Sequence, residues 1–158
     1  MIFRLIHAGS AGSGALDEAA RSYMGRLGRS VRVEELFVRS ERLPDERPES
    51  VKRALAAEAE RLLGAVGPRD RLVALSIGGS RWTSVQLAER YEAWLGSGAR
   101  AVVFALGSAH GLAEEVEDAA TERWSLGPLT LPHDLARVVL WEQLYRAATI
   151  ARGEPYHK

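Results

Sequence analysis

Three patterns in the 158-residue chain predict an α/β fold with a mostly parallel sheet flanked by helices. Short apolar runs suited to strands recur at residues 2–8, 31–38, 71–77 and 100–106. Segments with helical apolar spacing separate them. Two of the runs, 71–77 and 100–106, are apolar almost throughout, as expected of strands covered on both faces. Strands alternating with helices in this way build a parallel sheet.

The elements follow in order. Residues 2–8 read as the first strand. Leu16, Ala19, Ala20, Tyr23 and Leu27 place a helix over residues 15–27. Residues 31–38, with Val31, Val33, Leu36, Phe37 and Val38, read as a strand. Residues 39–49 are polar and hold Pro44 and Pro48, which marks a loop. Leu55, Ala56, Ala59, Leu62 and Leu63 give an amphipathic helix over residues 50–63, and the buried strand 71–77 follows. The next helix begins near Thr83, which has capping-box spacing to Gln86, and Gly96 ends it. The strand 100–106 precedes a short acidic helix at 112–122, a last short strand at 128–131 and a final helix at 134–151. No internal repeat or low-complexity stretch divides the chain, so residues 1–158 are expected to form a single domain.

The final helix is apolar around nearly its whole circumference, from Leu135 and Val138 through Trp141 and Tyr145 to Ile150. Such a helix is buried on several sides. In so small a domain the sheet covers one side, and the pattern predicts a homodimer in which a second copy covers the other.

Composition narrows the functional classes. Lys plus Arg and Asp plus Glu both number 21, so the formal charge is zero. Free nucleic acid is bound mainly through phosphate neutralisation, which needs a basic excess that this chain lacks. The chain has no cysteine, which excludes disulfides and thiolate chemistry. No run of about 18 apolar residues is present, so no membrane span is expected. Met1–Ile6 lacks the parts of a signal peptide, and a cytoplasmic location is expected. No metal is expected.

Two glycine-rich stretches invite specific readings. Gly9-Ser10-Ala11-Gly12-Ser13-Gly14 lies between a strand and a helix, with Glu34 downstream, as in a dinucleotide-binding loop. The spacing fails, because the third glycine would fall on Asp17. Gly107-Ser108-Ala109-His110-Gly111 sets a serine and a histidine on a turn. A nucleophile elbow needs serine at the centre, and the centre here is Ala109. What this turn offers is close backbone approach to a ligand at the carboxyl end of a strand. Leu126–Leu131, broken by Gly127 and Pro128, fits either an ordinary turn or a fold around a flat ring such as adenine.

These segments occur in a fixed order. Leu106-Gly107-Ser108-Ala109-His110-Gly111 comes first, then Trp124-Ser125-Leu126 with Leu129-Thr130-Leu131-Pro132-His133. Arg137-Val138, Glu142 and Leu144-Tyr145-Arg146-Ala147 follow, and Pro155-Tyr156-His157-Lys158 comes last. The ordered set resembles the RlmH-type RNA methyltransferases of the SPOUT (α/β-knot) class, loosely over the first 65 residues and tightly from about Arg71 onward. The resemblance implies a C-terminal trefoil knot, a homodimer and S-adenosylmethionine as cofactor. It also implies a substrate, N3 of a pseudouridine in helix 69 of large-subunit ribosomal RNA. The neutral charge then fits action on the assembled ribosome rather than on bare RNA. Two alternatives remain: another RNA target such as tRNA, or a non-catalytic knot protein that binds RNA or ribosomes.

By the same resemblance, the cofactor lies among Leu75, Gly107, Ser108, Leu126, Gly127, Pro128, Leu129, Thr130 and Leu131. Ser108 stands where the family usually has a second glycine, and its side chain would weaken binding if the position needs positive φ. An imide nitrogen must lose its proton before it attacks a methyl group, so a base near neutral pKa is needed. His157 is the first candidate, with Tyr156 to stack on the base and Arg137 to hold charge. His133, Arg146 and Lys158 are candidate substrate-binding residues, His133 being otherwise a cap of the final helix.

Overall fold

The structure is a computed structural model, which describes residues 1–10 and 12–157. Its elements are β1 (Ile2–Ala8), α1 (Ala15–Leu27), β2 (Arg32–Val38), α2 (Pro48–Gly64), β3 (Arg71–Ser80), α3 (Ser84–Gly96), β4 (Ala101–Leu106), α4 (Glu114–Ala119), β5 (Glu122–Trp124) and α5 (His133–Ala151). The five strands form one sheet in the order β2-β1-β4-β3-β5. Every pairing is parallel. The all-apolar run Ala101–Leu106 occupies the centre of this sheet and is buried throughout.

Successive strand residues face opposite sides of the sheet, and two cores result. Phe3, Leu5, Val102 and Phe104 pack against α1, α3 and α5. Ile6, Val103 and Ala105 pack against α2 and α4, through Ala59, Leu62 and Val116. The capping box is present: the Gln86 backbone N–H donates to Thr83 Oγ1 at 3.2 Å, and the Thr83 N–H donates to Gln86 Oε1 at 2.9 Å.

Several boundaries differ from expectation. The short strand at 128–131 does not form. Gly127 has φ +146°, and Pro128 has no N–H to donate, so the segment stays a loop. The fifth strand lies earlier, at Glu122–Trp124, beside β3. Pro48 opens α2 rather than belonging to the loop, since the first turn of a helix tolerates a missing N–H. The acidic helix spans only 114–119, because residues 122–124 join the sheet. β3 runs on to Ser80.

The environment of α5 also differs from expectation. The helix lies against both α1 and α3, so its own chain covers more than the one side expected. Leu140, Trp141, Leu144, Ala147 and Ala148 are fully buried within the chain, whereas Val138, Val139, Glu142 and Tyr145 stay half-buried.

Candidate active site

Parallel strands bring their carboxyl ends to one edge of the sheet, where open α/β folds bind ligands. The chain uses that edge. A pocket of about 310 Å³ lies there. Leu75, Ser76 and Ile77 of β3 form one wall. Ser108–Gly111, after β4, form a second. Trp124–Gly127 and Leu129–Leu131, after β5, form a third, and His133 and Ala136 of α5 close the base.

Local chemistry shapes each loop. In the turn after β4, the Gly111 N–H donates to the Ser108 carbonyl at 2.8 Å, with Gly111 at φ +85°. A Cβ on Gly107 would lie 2.0 Å from the Gly111 carbonyl oxygen, so only glycine permits this closure. In the third loop the Ser125 hydroxyl donates to the Gly127 carbonyl at 2.9 Å and accepts from the Gly127 N–H at 3.3 Å. The walls are mostly apolar, with backbone groups and a few hydroxyls between them, as a flat heteroaromatic ligand requires.

Of the expected cofactor residues, Leu75, Ser108, Leu126, Gly127, Leu129, Thr130 and Leu131 line this pocket. Gly107 supports the turn from beneath, and Pro128 is not part of the lining. No non-glycine residue among those described has positive φ, so Ser108 sits in ordinary backbone and the expected crowding by strain does not arise. Ser76, Ile77, Ser125 and Ala136 were not legible as site residues. Ser76, Ile77 and Ala136 are small or apolar side chains on regular elements and carry no motif, and Ser125 lies in the quoted Trp124-Ser125-Leu126 stretch with nothing there to mark it as a lining residue.

The histidines divide. His133 lines the pocket as the first residue of α5. It is not a cap: Pro132 holds the N-cap position, with no side-chain cap bond. The buried His133 Nδ1 has no hydrogen-bond partner among the described residues. Beside it, at 5.4 Å between ring centroids, lies His7 of β1, which sequence reasoning missed within an apolar strand. Burial foremost, and then the neighbouring His133, push His7 down to about 4, so it is neutral at physiological pH.

The remaining candidates lie elsewhere. Arg137 is buried, and its guanidinium is engaged by Glu35 at 2.7 and 2.6 Å and by Asp17 at 2.7 Å. Each of its three guanidinium nitrogens thus has an acidic partner within the chain. Arg146 pairs with Glu142 at 2.6 Å and lies 4.7 Å over the Tyr156 ring. Tyr156 packs on Tyr145 at 4.9 Å and donates to Glu142 Oε1 at 3.1 Å. Burial first, then bonding to Tyr23 and Glu142, push the Tyr156 hydroxyl well above its usual range, so it acts as a donor and not a base. His157 is exposed past the end of α5, and Lys158 lies outside the described residues. Tyr156 folds back onto Tyr145 and Glu142 along α5, and neither Tyr156 nor His157 lines the pocket. One chain therefore does not bring its tail to its own pocket.

Among the described residues no helix is long and apolar enough to cross a membrane. Nor does any group of three His, Asp or Glu side chains gather where it could hold a metal ion.

The chain was compared with known proteins. The family model described as "Predicted SPOUT methyltransferase" matches residues 1–157. A protein of Anaeromyxobacter sp. (strain Fw109-5) named "Ribosomal RNA large subunit methyltransferase H" is 45% identical, with all of both chains covered. Proteins of the same name are 41% identical in Chromobacterium violaceum, over 90% of each chain, and 38% identical in Streptococcus thermophilus, over 100% of each. The loops that converge at the carboxyl edge of this sheet thus belong to a protein similar over its whole length to named methyltransferases, and the chain is a member of the SPOUT methyltransferase family.

Proposed function

We propose that the protein is an S-adenosylmethionine-dependent methyltransferase that modifies large-subunit ribosomal RNA at N3 of a pseudouridine in helix 69, on the assembled ribosome. One observation carries this reading. The three loops that the family resemblance assigns to the cofactor form the walls of a single pocket at the carboxyl edge of the sheet. The pocket fits such a cofactor: Gly107 allows a tight backbone cradle, and Leu75, Leu126 and Leu131 supply apolar faces for an adenine. The bound cofactor supplies a methyl group already activated by its sulfonium. The protein's task is then to hold the acceptor nitrogen in line and to help remove its proton. The relatives' printed name, a ribosomal RNA large subunit methyltransferase, supports the substrate.

That neither Tyr156 nor His157 lines the pocket of its own chain supports a homodimer in which each copy's Tyr156 and His157 serve the other's pocket. His157 is the candidate base, because its imidazole can accept a proton from the acceptor nitrogen. Tyr156 is a hydroxyl donor and stacking surface, and Arg146 beside it is the candidate phosphate contact. The balanced charge supports a ribosomal substrate, with ribosome surface supplying contacts that bare RNA lacks.

The test is transfer of labelled methyl from S-adenosylmethionine to ribosomes that lack the modification, to protein-free ribosomal RNA and to tRNA. Label in helix 69 of ribosomes, with little on bare RNA, is expected. Label on tRNA alone, or none on any RNA despite cofactor binding, overturns the reading.

A further inference from the structure

A second cleft, of about 540 Å³, opens on the other side of the Ser108–His110 turn. It shares Ser108, Ala109, His110 and His133 with the cofactor pocket, so an occupant of one lies against an occupant of the other. His7 forms part of its floor. That side chain is 3% exposed, and neither ring nitrogen has a hydrogen-bond partner among the described residues. The omission is costly, because a buried polar atom left unpaired loses its hydration without replacement. The ring edge is open toward Gly9, which also lines the cleft: a Cβ there would stand 3.7 Å from His7 Nε2. The cleft therefore holds a buried donor and acceptor with no group among the described residues to satisfy them.

The charge of the cleft defines its ligand. Glu41 and Asp134 line it, which disfavours phosphate. A neutral imidazole has one N–H to give and one lone pair to receive, and so matches an uncharged ligand with both functions. A nucleobase carrying a ring N–H beside a carbonyl has both.

We propose that this cleft is the acceptor-base site, in which His7 and His133 hold the pseudouridine base by its N1–H and the neighbouring C2 carbonyl, leaving N3 free to face the cofactor pocket. The proposal rests on the reading of the protein as an RNA methyltransferase and adds the place and the ligand contacts of the flipped-out base. His7 binds and orients. A ring neutral down to about pH 4 is a poor proton acceptor, so removal of the proton falls to another group.

Two measurements on the full chain test it. The first follows the His7 and His133 ring Hε1 resonances by NMR, with S-adenosylhomocysteine bound, as pseudouridine or 1-methylpseudouridine is added to millimolar concentration. The methylated nucleoside lacks the N1–H. Shifts of both rings with pseudouridine and not with 1-methylpseudouridine are expected. Equal shifts with both nucleosides, or none with pseudouridine, overturn the proposal. The second compares His7→Phe, which fills the same space without ring nitrogens, with His7→Gln, which keeps a donor and an acceptor. At unchanged S-adenosylmethionine affinity, His7→Phe should lower kcat/KM for ribosomes about tenfold or more, and His7→Gln should recover most of it. Wild-type kcat/KM in His7→Phe overturns the proposal. If the wild type binds pseudouridine at His7 but methylates no RNA, the reading of function fails and this site stands. If the wild type methylates ribosomes and His7→Phe does so equally, the site fails and the function stands.

Discussion

Arg137 of α5 grips Glu35 of β2 with two prongs, at 2.7 and 2.6 Å, across 102 positions of the chain. Only 2% of the Arg137 side chain and 9% of the Glu35 side chain are exposed. The Trp141 Nε1–H donates to the same carboxylate at 2.7 Å. The pair locks the final helix to the edge of the sheet, and it is a structural lock more than a substrate contact. Truncation by Arg137→Ala leaves Glu35 buried and uncompensated, which should cost about 3 kcal/mol in denaturant unfolding. Arg137→Lys should recover little, because an ammonium does not reproduce the fork. A loss below about 0.5 kcal/mol in Arg137→Ala would show the pair to be solvated in solution.

Removal of residues 155–158 should abolish methyl transfer to ribosomes while leaving S-adenosylmethionine affinity, read by calorimetry, within about threefold of wild type. The tail touches Tyr145 and Glu142 of α5, none of which lines the pocket, so the cofactor does not sense its loss. Full transfer activity in the truncated protein would remove Tyr156 and His157 from the mechanism.

The two small residues of the β4 turn should behave in opposite ways. Ser108→Gly relieves no strain, since Ser108 already has negative φ, and its cofactor affinity should stay within about threefold of wild type. Gly107→Ala forces a methyl to within 2.0 Å of the Gly111 carbonyl, so the turn must open. Calorimetry should then find S-adenosylmethionine binding weakened by tenfold or more, on the order of the 1–3 kcal/mol that overpacking costs. Unchanged binding in Gly107→Ala would mean that the turn does not form the cradle.

Stability should fall in mild acid. His7 has its folded-state value near 4, below the ordinary 6.5. Between those values the unfolded chain takes up a proton that the native protein refuses. Stability is therefore complete above about 6.5 and declines as pH drops toward 4, by on the order of 3 kcal/mol at most. His7→Phe should flatten this slope in urea melts at a series of pH values. An equal slope in wild type and variant would assign the titration to other groups.

The layout of the fold was legible where a strand's environment is simple. Residues 2–8, 71–77 and 100–106 are buried on both faces, and continuous apolar runs announce that. β5 was missed because Glu122 and Arg123 are charged; Glu122 is instead satisfied by Trp94 Nε1–H at 2.8 Å, a tertiary bond that no local pattern shows. Leu129–Leu131 looked like a strand because its apolar residues face a pocket rather than a sheet, and sequence does not separate those two kinds of apolar contact. The cofactor loops were readable through the resemblance. His7 was not, because one polar residue in an apolar strand has no periodicity to mark it, and its partner His133 lies 126 positions away. The separation of the tail from the pocket was equally hidden, since it depends on which way α5 runs across the sheet.

The strand order has a kinetic consequence. β1 forms its inner pairing with β4, setting Ile2 opposite Ala101, and α5 packs onto α1 from the other end of the chain. Neither half of the polypeptide can bury its own apolar face, so no early fragment is a native subdomain. Closing such long loops before any reward arrives makes folding slow for a domain of this size. Until α5 docks, the faces of α1 and α3 that it covers remain open to water, and the protein's most aggregation-prone moment falls just before its last helix is in place.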